Sequence, residues 1–428
     1  MDQVNRNRLE EFRQLRQEIR YSDEYLIVGM DIAKDRHHAF LGTATGKTLL
    51  RRLVFSNDHE GFRRLLDQAE ALRVQHGLKK VVYGMEPTAN YHKPLGEYLI
   101  KLGKTVVLVC GVTVARNRES MDGRWDKNDT KDSANVADLI SQGKCLYYEH
   151  PSAELRGLRE LLSLKKRLKK QEHGYKVRIR NHLIAEYFPE MDRDYERLGA
   201  EGLSIVRWCL PASEMAQLDV DPFIERVRSR RITTEKRRRL EATWEKAGES
   251  IGCDAVPGVD HEAKVMVEGL RQIREMIKET EDRIEELCKA FPEYFYILTI
   301  PGFGPDVSSK VLGAIGEPDR FQSGKQVLKM GGLDLSADRS GKDSDKAIPQ
   351  ISKRGKADLR YALYQAALIA SVKNRDVMIY YTNKIRGRER EKGIHIKMRV
   401  KLAAKLLVIA WTLMRKKEAF NPVYLTAE

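Results

Sequence analysis

Short apolar runs of strand length occupy the first quarter of the chain, and their order constrains the fold more than any other feature. Three runs come first and predict strands, the second and third of which form a hairpin: Tyr25 to Ala33, Arg36 to Thr43 and Thr48 to Phe55. Two segments with helical spacing then alternate with two more runs of strand length. The predicted helices are His59 to Gln75 and Pro94 to Leu102, and the predicted strands are Lys79 to Met85 and Thr105 to Val109. The pattern predicts a sheet covered by helices.

Acidic residues stand at the ends of two predicted strands and at the start of one predicted helix. Asp31 lies near the end of the first apolar run, and Glu86 directly follows the run that ends at Met85. Asp129 and Asp132 are three residues apart at the start of an Ala/Val/Leu-patterned segment, so both point to one side of a helix. With this acidic helix, the order of elements is the one expected of an RNase H-like layered fold, in which the four carboxylates converge on one edge of the sheet.

A gathering of acids is unexpected in a chain with 77 Lys and Arg, 62 Asp and Glu and a formal net charge of +15. We therefore expect a cation between the carboxylates, and a divalent metal ion is the best candidate. Two such ions about 4 Å apart would activate one oxygen of a phosphodiester and stabilise the departing one. For Asp129 and Asp132 alone another interpretation stays open, in which Asp129 caps the helix N-terminus and Asp132 complements its dipole.

The basic excess indicates the class of partner. It is largest from Lys342 onward and continues through segments that must also pack, so nucleic acid is the preferred partner. The apolar stretches are shorter than the roughly 18 residues of a membrane span, and the first residues lack the apolar core of a signal peptide. We therefore expect a cytoplasmic protein that does not bind membranes.

Two apolar stripes with helical spacing follow, from Leu155 to Leu183 and from Ala263 to Leu287. They predict two long helices that form an antiparallel coiled coil or a dimerisation arm, and packing rather than chemistry is their expected role. The segment between them, from about Pro189 to Gly258, becomes strongly basic and predicts an insertion with its own helices.

The last third of the chain contains two candidate sites for nucleic acid. Gly302 and Gly304, in the sequence Pro301-Gly-Phe-Gly-Pro305, have the layout of a helix-hairpin-helix turn, whose backbone N–H groups face a phosphate. An ordinary turn between two helices is the alternative. Later in the chain, Ser352 is followed by a group of cations: Lys353, Arg354, Lys356 and Arg360.

Two interpretations of Ser352 stay open. In one, its hydroxyl caps the start of the apolar helix that follows. In the other, it is a nucleophile directed at phosphate, since the neighbouring cations would stabilise both an alkoxide and a pentavalent phosphorus. Ser340, in the polar loop from Ser336 to Lys346, is the second choice of nucleophile.

Four of these stretches, taken in order, resemble a single family: Gly29 to Lys34, Met85 to Tyr91, Lys127 to Asp132 and Ile351 to Gly355. The family is that of the DEDD insertion-sequence transposases related to the Piv DNA invertase, whose better-studied members are bridge-RNA-guided recombinases. The resemblance covers roughly Tyr25 to Tyr148 and Phe291 to Pro422. The long helices predicted between these two stretches resemble the family in their general character but not in a sequence motif. The basic insertion departs from the compact pattern of the family.

The residue pattern predicts a helical arm over residues 1–24 and a coiled coil over 151–290 with the basic insertion at about 189–258. The resemblance implies a RuvC-like DEDD catalytic domain over 25–150 and a mainly α-helical transposase domain over 291–428. The catalytic domain would bind Mg²⁺ through four acids: Asp31, Glu86, Asp129 and Asp132. The transposase domain would contain the helix-hairpin-helix and the nucleophile Ser352, which attacks DNA and forms a phosphoserine link.

The partners that the resemblance implies are donor and target DNA, a noncoding bridge RNA that pairs with both, and further copies of the chain. In that family the acids of one protomer meet the serine of another, which requires a dimer or tetramer, in the cytoplasm of a bacterium or archaeon. Two other functions stay open. One is a hydrolytic RuvC-like nuclease that uses the four acids with water, and the other is a non-catalytic protein that organises nucleic acid.

Overall fold

The computed structural model describes residues 3–122, 129–228, 232–336 and 350–426, with the backbone alone at 3–5, 121–122, 129–130 and 336. The chain divides into two compact units, Met1–Ser152 and Ala153–Glu428. Lys127 and Asn128 of the third motif and the alternative nucleophile Ser340 lie outside the described residues. Among the helices that are described, none is both long enough and apolar enough to cross a bilayer.

The first unit is a six-stranded mixed sheet with helices on both faces. In chain order its elements are α1 (Gln3–Glu18), β1 (Tyr25–Asp31), β2 (Arg36–Thr43), β3 (Thr48–Ser56), α2 (His59–Gln75), β4 (Lys80–Met85), α3 (His92–Lys101), β5 (Thr105–Leu108), α4 (Gly111–Asp122), α5 (Asp129–Ser141) and β6 (Leu146–Tyr147). The strand order is β3-β2-β1-β4-β5-β6, in which β1, β4 and β5 are parallel and the other pairings are antiparallel. The predicted mixed α/β domain is confirmed, and α4 is an element that the sequence pattern did not predict.

The first strand is buried on both faces, which explains its continuous apolar sequence. Leu26 and Val28 pack in the core that α2 and α3 cover, whereas Ile27 packs on the opposite face with α5. Gly29 lies directly under α5, because a Cβ at this position would come 2.5 Å from the backbone nitrogen of Ala137. The backbone of α5 therefore rests on β1, which holds the first turn of α5 over the sheet.

The second unit is mostly helical. Its first part contains α6 (Ala153–Arg178), a π-helical turn (Ile179–Ile184), α7 (Ala185–Tyr187), α8 (Met191–Asp194), α9 (Ala200–Cys209), α10 (Ala212–Met215), α11 (Val220–Val227), α12 (Thr234–Gly248) and α13 (Val259–Cys288). The ion pairs Arg178–Glu262 and Lys165–Glu281 show that α6 and α13 lie antiparallel. Two long antiparallel helices are thus confirmed, while their coiled-coil packing stays a prediction. The segment between them contains the predicted helices, and these share an apolar core with the π-helical turn and with α13.

The remainder of the second unit packs around two central helices. Its elements are α14 (Pro292–Leu298), α15 (Pro305–Ile315), a 3₁₀ turn (Pro318–Arg320), α16 (Gly324–Gly331), β7 (Leu335–Ser336), β8 (Gln350–Ile351), α17 (Ala357–Lys373), α18 (Arg375–Ile385), α19 (Ile394–Lys416) and α20 (Val423–Thr426). Leu363 of α17 and Leu406 of α19 are fully buried in this core. The short strands β7 and β8 pair antiparallel, with Leu335 opposite Ile351.

Candidate active site

The sheet of the first unit brings two of the predicted acids to one edge. Asp31 is the last residue of β1, and Glu86 directly follows β4. These strands are parallel neighbours in which Met30 lies opposite Met85, so the two acids occupy adjacent strand ends. Both residues are half-buried. The predicted convergence of Asp31 and Glu86 on one sheet edge therefore follows from the strand register.

The start of α4 makes room for the carboxylate of Glu86. A Cβ at Gly111, the first residue of α4, would lie 2.5 Å from Oε1 of Glu86. Only glycine leaves this space without a shift of the acid. The N-terminus of a helix also carries partial positive charge, which favours a carboxylate beside it. The unpredicted helix α4 is thus part of the setting of Glu86.

Asp132 lies in the first turn of α5 and is 3 % exposed. Its Oδ1 is 2.6 Å from Nη2 of Arg118, a residue of α4. The two groups form an ion pair, but the guanidinium does not direct an N–H bond at this oxygen. The structure therefore places a cation beside the buried acid, and that cation comes from the protein.

A polar network fixes α4 against α5. Nδ2 of Asn117 donates to Oδ1 of Asn135 at 2.7 Å and to Oδ2 of Asp138 at 2.9 Å. Asn135 is buried and donates in turn to the carbonyl of Val114 at 2.7 Å. Because buried amides are costly without partners, these bonds hold the two helices in one register. The position of Asp132 thus depends on α4 as well as on β1.

The described residues do not bring the acids into one metal cluster. Within them, no group of three His, Cys, Asp or Glu side chains is placed to hold a metal ion. Asp31 and Glu86 share a sheet edge and Asp132 is paired with Arg118, while the side chain of Asp129 lies outside the description. The metal site of four carboxylates therefore stays a prediction.

Ser352 directly follows β8 and does not cap a helix. The next helix, α17, begins at Ala357 after Lys356, and no side chain caps it. The capping interpretation is therefore wrong. Instead, the Ser352 hydroxyl donates a hydrogen bond to Oδ1 of Asp334, and the Ser352 backbone N–H donates to the Asp334 carbonyl at 2.8 Å. Asp334 precedes β7, and nothing in the local sequence pattern singled it out.

The cations near Ser352 divide into two groups. Lys353, Arg354 and Lys356 are exposed. The guanidinium of Arg360 donates instead to the carbonyls of Gly331 and Gly355, at 3.1 Å and 2.9 Å. Arg360 thus ties the Ser352 loop to the end of α16, a role that the sequence did not predict.

The predicted hairpin between two helices is present, as α14, a turn and α15. Gly302 adopts a φ of +83°, and a Cβ there would collide with the carbonyl of Ala366 in α17. Gly302 is therefore required for packing, whereas a Cβ at Gly304 would meet open space. Asp306, in the first turn of α15, pairs with Lys165 and so places a carboxylate at this helix N-terminus. Phosphate binding at the turn stays a prediction.

Two family models match the chain. One, a DEDD-type transposase model of IS110 elements, matches residues 28–189. The other describes transposases of the IS116/IS110/IS902 family and matches residues 295–382. Together they span more than half of the 428 residues. The first includes all four candidate acids, Asp31, Glu86, Asp129 and Asp132, and the second includes Ser352.

Similar proteins extend over most of the chain. The 44.8 kDa protein of insertion element IS116 from Streptomyces clavuligerus is 23% identical over 92% of this chain and 96% of its own length. The 42 kDa protein of insertion element IS900 from Mycobacterium paratuberculosis is 23% identical over 93% of this chain and 98% of its own. The pilin gene-inverting protein of Moraxella lacunata is 26% identical over 36% of this chain and 48% of its own, in line with the predicted relation to a DNA invertase. The chain therefore belongs to the IS116/IS110/IS902 family and is a DNA transposase.

Proposed function

We propose that this transposase cuts and rejoins DNA through a covalent phosphoserine link at Ser352. The observation that carries the proposal is the setting of the hydroxyl. It lies half-buried at the end of β8, is bonded to a carboxylate, and is followed by three exposed cations: Lys353, Arg354 and Lys356. A phosphodiester held by these cations would lie beside the hydroxyl, and the same charges would stabilise the charge that develops on phosphorus.

The proposed metal ligands are four acids of an RNase H-like, RuvC-like first unit: Asp31, Glu86, Asp129 and Asp132. Carboxylate oxygens are the ligands that Mg²⁺ prefers, so this set of donors fits the ion. Asp132 also offers a buried oxygen at which no N–H bond is directed. Bound Mg²⁺ would polarise the phosphodiester and stabilise the departing oxygen.

A phosphoserine link suits a reaction that rejoins strands. The covalent ester conserves the free energy of the cleaved phosphodiester, so a deoxyribose hydroxyl can attack it later and restore the DNA backbone. The chemistry of Ser352 requires activation, because a serine hydroxyl is a weak nucleophile at neutral pH.

We also propose that a noncoding bridge RNA selects the donor and target DNA, and that protomers of a dimer or tetramer complete each other's active sites. The formal net charge of +15 supports binding of more than one nucleic acid. The N–H groups beside Gly304 and the exposed cations after Ser352 are the proposed phosphate contacts. Sequencing the RNA that copurifies with the transposase would identify such a guide.

The Ser352→Ala variant tests the proposal. A suicide substrate made from the ends of the element, mixed with the transposase and its copurified RNA, should trap a protein–DNA adduct with the native chain. The variant should form no adduct and should bind the same DNA with unchanged affinity. Ser323→Ala is the matched control, because the hydroxyl of Ser323 precedes α16 without capping it.

Two outcomes would change the assignment. Adducts that persist in Ser352→Ala would move the nucleophile to another residue, with Ser340 the first to test. Strand cleavage without an adduct in the native chain would favour the hydrolytic nuclease. The non-catalytic alternative is set aside, because a transposase must cut DNA.

A further inference from the structure

Asp334 and Ser352 face each other across the open end of the β7–β8 ladder. Leu335 is paired with Ile351, so the residues just outside this pair, Asp334 and Ser352, are brought together by the strand register. The Ser352 N–H donates to the Asp334 carbonyl at 2.8 Å, and the Ser352 hydroxyl donates to Oδ1 of Asp334. The pair is held by backbone as well as by side chain.

The loop around this pair is tightly held on both sides. The N–H of Lys353 donates to the carbonyl of Gly332 at 3.1 Å, and Arg360 bonds the carbonyls of Gly331 and Gly355. Lys353 has a φ of +54°, a left-handed conformation that a residue with a side chain adopts at an energetic cost and that recurs at functional sites. The contact between carboxylate and hydroxyl is therefore built into the loop.

We propose that Asp334 is the general base that takes the proton of Ser352 when the hydroxyl attacks DNA, an inference that rests on the phosphoserine function proposed above. An ionised carboxylate only accepts hydrogen bonds, and here it accepts one from the atom that reacts. A nucleophile and its base within hydrogen-bond reach are the arrangement that activates serine in other enzymes. Asp334 is thus a catalytic residue for strand transfer.

The step balances without a further reactant. The bond between Ser352 Oγ and phosphorus forms, the Oγ proton passes to Oδ1 of Asp334, and the bond between phosphorus and one deoxyribose oxygen breaks. The released oxygen takes a proton from water. In the rejoining step a deoxyribose hydroxyl attacks the phosphoserine and gives its proton to water. The Oγ–phosphorus bond breaks, and Asp334 returns its proton to Oγ.

The Asp334→Asn variant separates a base from a mere hydrogen-bond partner. The amide oxygen still accepts a bond from Ser352 but is far too weak a base to take its proton. Single-turnover adduct formation on the suicide substrate should fall by about 10²–10⁴-fold, the usual contribution of general-base catalysis. Affinity for the same DNA should stay within about twofold, because Asp334 makes no contact with phosphate in this scheme.

Two further variants complete the test. Asp358→Asn is the control, because it removes a negative charge close to Ser352 in sequence. Asp358 forms a surface ion pair with Lys166, and its replacement should leave the rate of adduct formation unchanged. Asp334→Ala should be inactive alone and should regain adduct formation when formate is added as a small external base. A thermal unfolding curve like that of the native chain shows that each variant is folded.

The outcomes distinguish this inference from the proposed function. Adduct formation by Asp334→Asn at the native rate would overturn the role of Asp334 and leave Ser352 as the nucleophile. Absence in the native chain of an adduct that depends on Ser352 would overturn the phosphoserine function itself, and the role of Asp334 with it.

Discussion

Replacing Gly29 by alanine tests whether the backbone of α5 must touch β1. The added Cβ would lie 2.5 Å from the backbone nitrogen of Ala137 and 2.7 Å from its Cβ, and it would also meet the carbonyl of Ser133. Carbon contacts are most favourable at about 3.5–4.0 Å, so α5 must move away by about 1 Å. The atoms in the way are mainly backbone, and a rotamer change therefore does not relieve the clash.

The energetic effect follows from that displacement. A gap of about 1 Å forfeits between a quarter and a half of each dispersion contact along the interface. The residues affected include Val136 and Ile140, which are buried in the core between α5 and the sheet. Overpacking of this kind typically costs about 1–3 kcal/mol, and we expect Gly29→Ala to fall near 3 kcal/mol because the obstacle is backbone.

Denaturant unfolding of the full-length chain measures this loss. Gly174→Ala is the matched control, because a Cβ at Gly174 in α6 meets no atom within 4 Å and should stabilise the helix by about 0.5–1 kcal/mol. The shift of α5 also moves Asp132, and a misplacement of about 1 Å is enough to reduce catalysis about 10²-fold. A loss of stability below about 1 kcal/mol in Gly29→Ala would refute the close contact.

Two other predictions concern charged side chains. Burial alone would raise the pKa of Glu172, but its bonds to Lys176 and Lys169 outweigh burial and lower the pKa to about 2, from 4.5 when unpaired. This carboxylate therefore stabilises the native state above pH 4.5. The shift corresponds to about 3 kcal/mol, which solvent screening of the partly exposed lysines reduces to about 2 kcal/mol, and this stabilisation should disappear as the pH falls from about 5 to 2. Glu172→Gln should flatten this dependence in denaturant titrations, whereas the exposed control Glu286→Gln should not, and equal slopes would contradict the assignment. Asp31→Asn and Glu86→Gln should each abolish magnesium-dependent strand cleavage and retain DNA binding, with Asp67→Asn on α2 as control. Turnover of either variant at the native rate would contradict the metal site.

The local sequence pattern predicts the strands of the sheet well, because a strand can be recognised from a run of a few residues. The helix predicted from His59 to Gln75 has those bounds in the structure, and the predicted strand from Arg36 to Thr43 does too. The placement of Asp31 and Glu86 followed from the same information, since parallel strands present their carboxyl ends at one edge. These features depend on periodicity and strand order, which the sequence displays directly.

The side-chain contacts of the candidate site residues depend on how distant segments of the chain align in the folded protein. The local sequence pattern does not contain this information. Arg118 lies in α4, a helix without a clear apolar stripe, so neither the helix nor its ion pair with Asp132 was predicted. Asp334 reaches Ser352 through strands of two residues each, too short for any periodicity. The capping interpretation of Ser352 is wrong for the same reason, because the partner of the hydroxyl, Asp334, lies on the paired strand and is distant in sequence.

The ion pair between Arg118 and Asp132 explains how a basic protein keeps an acid buried beside its sheet. A buried carboxylate without a counter-charge is strongly destabilising, and a guanidinium that remains 22% exposed offsets this at a smaller desolvation penalty than a fully buried one. In the proposed mechanism the metal ion would supply the same positive charge to Asp132. In that mechanism the cation of the protein and the metal ion would be alternative partners of one carboxylate oxygen of Asp132. The affinity for Mg²⁺ would then depend on the competition with Arg118 as well as on the number of carboxylates.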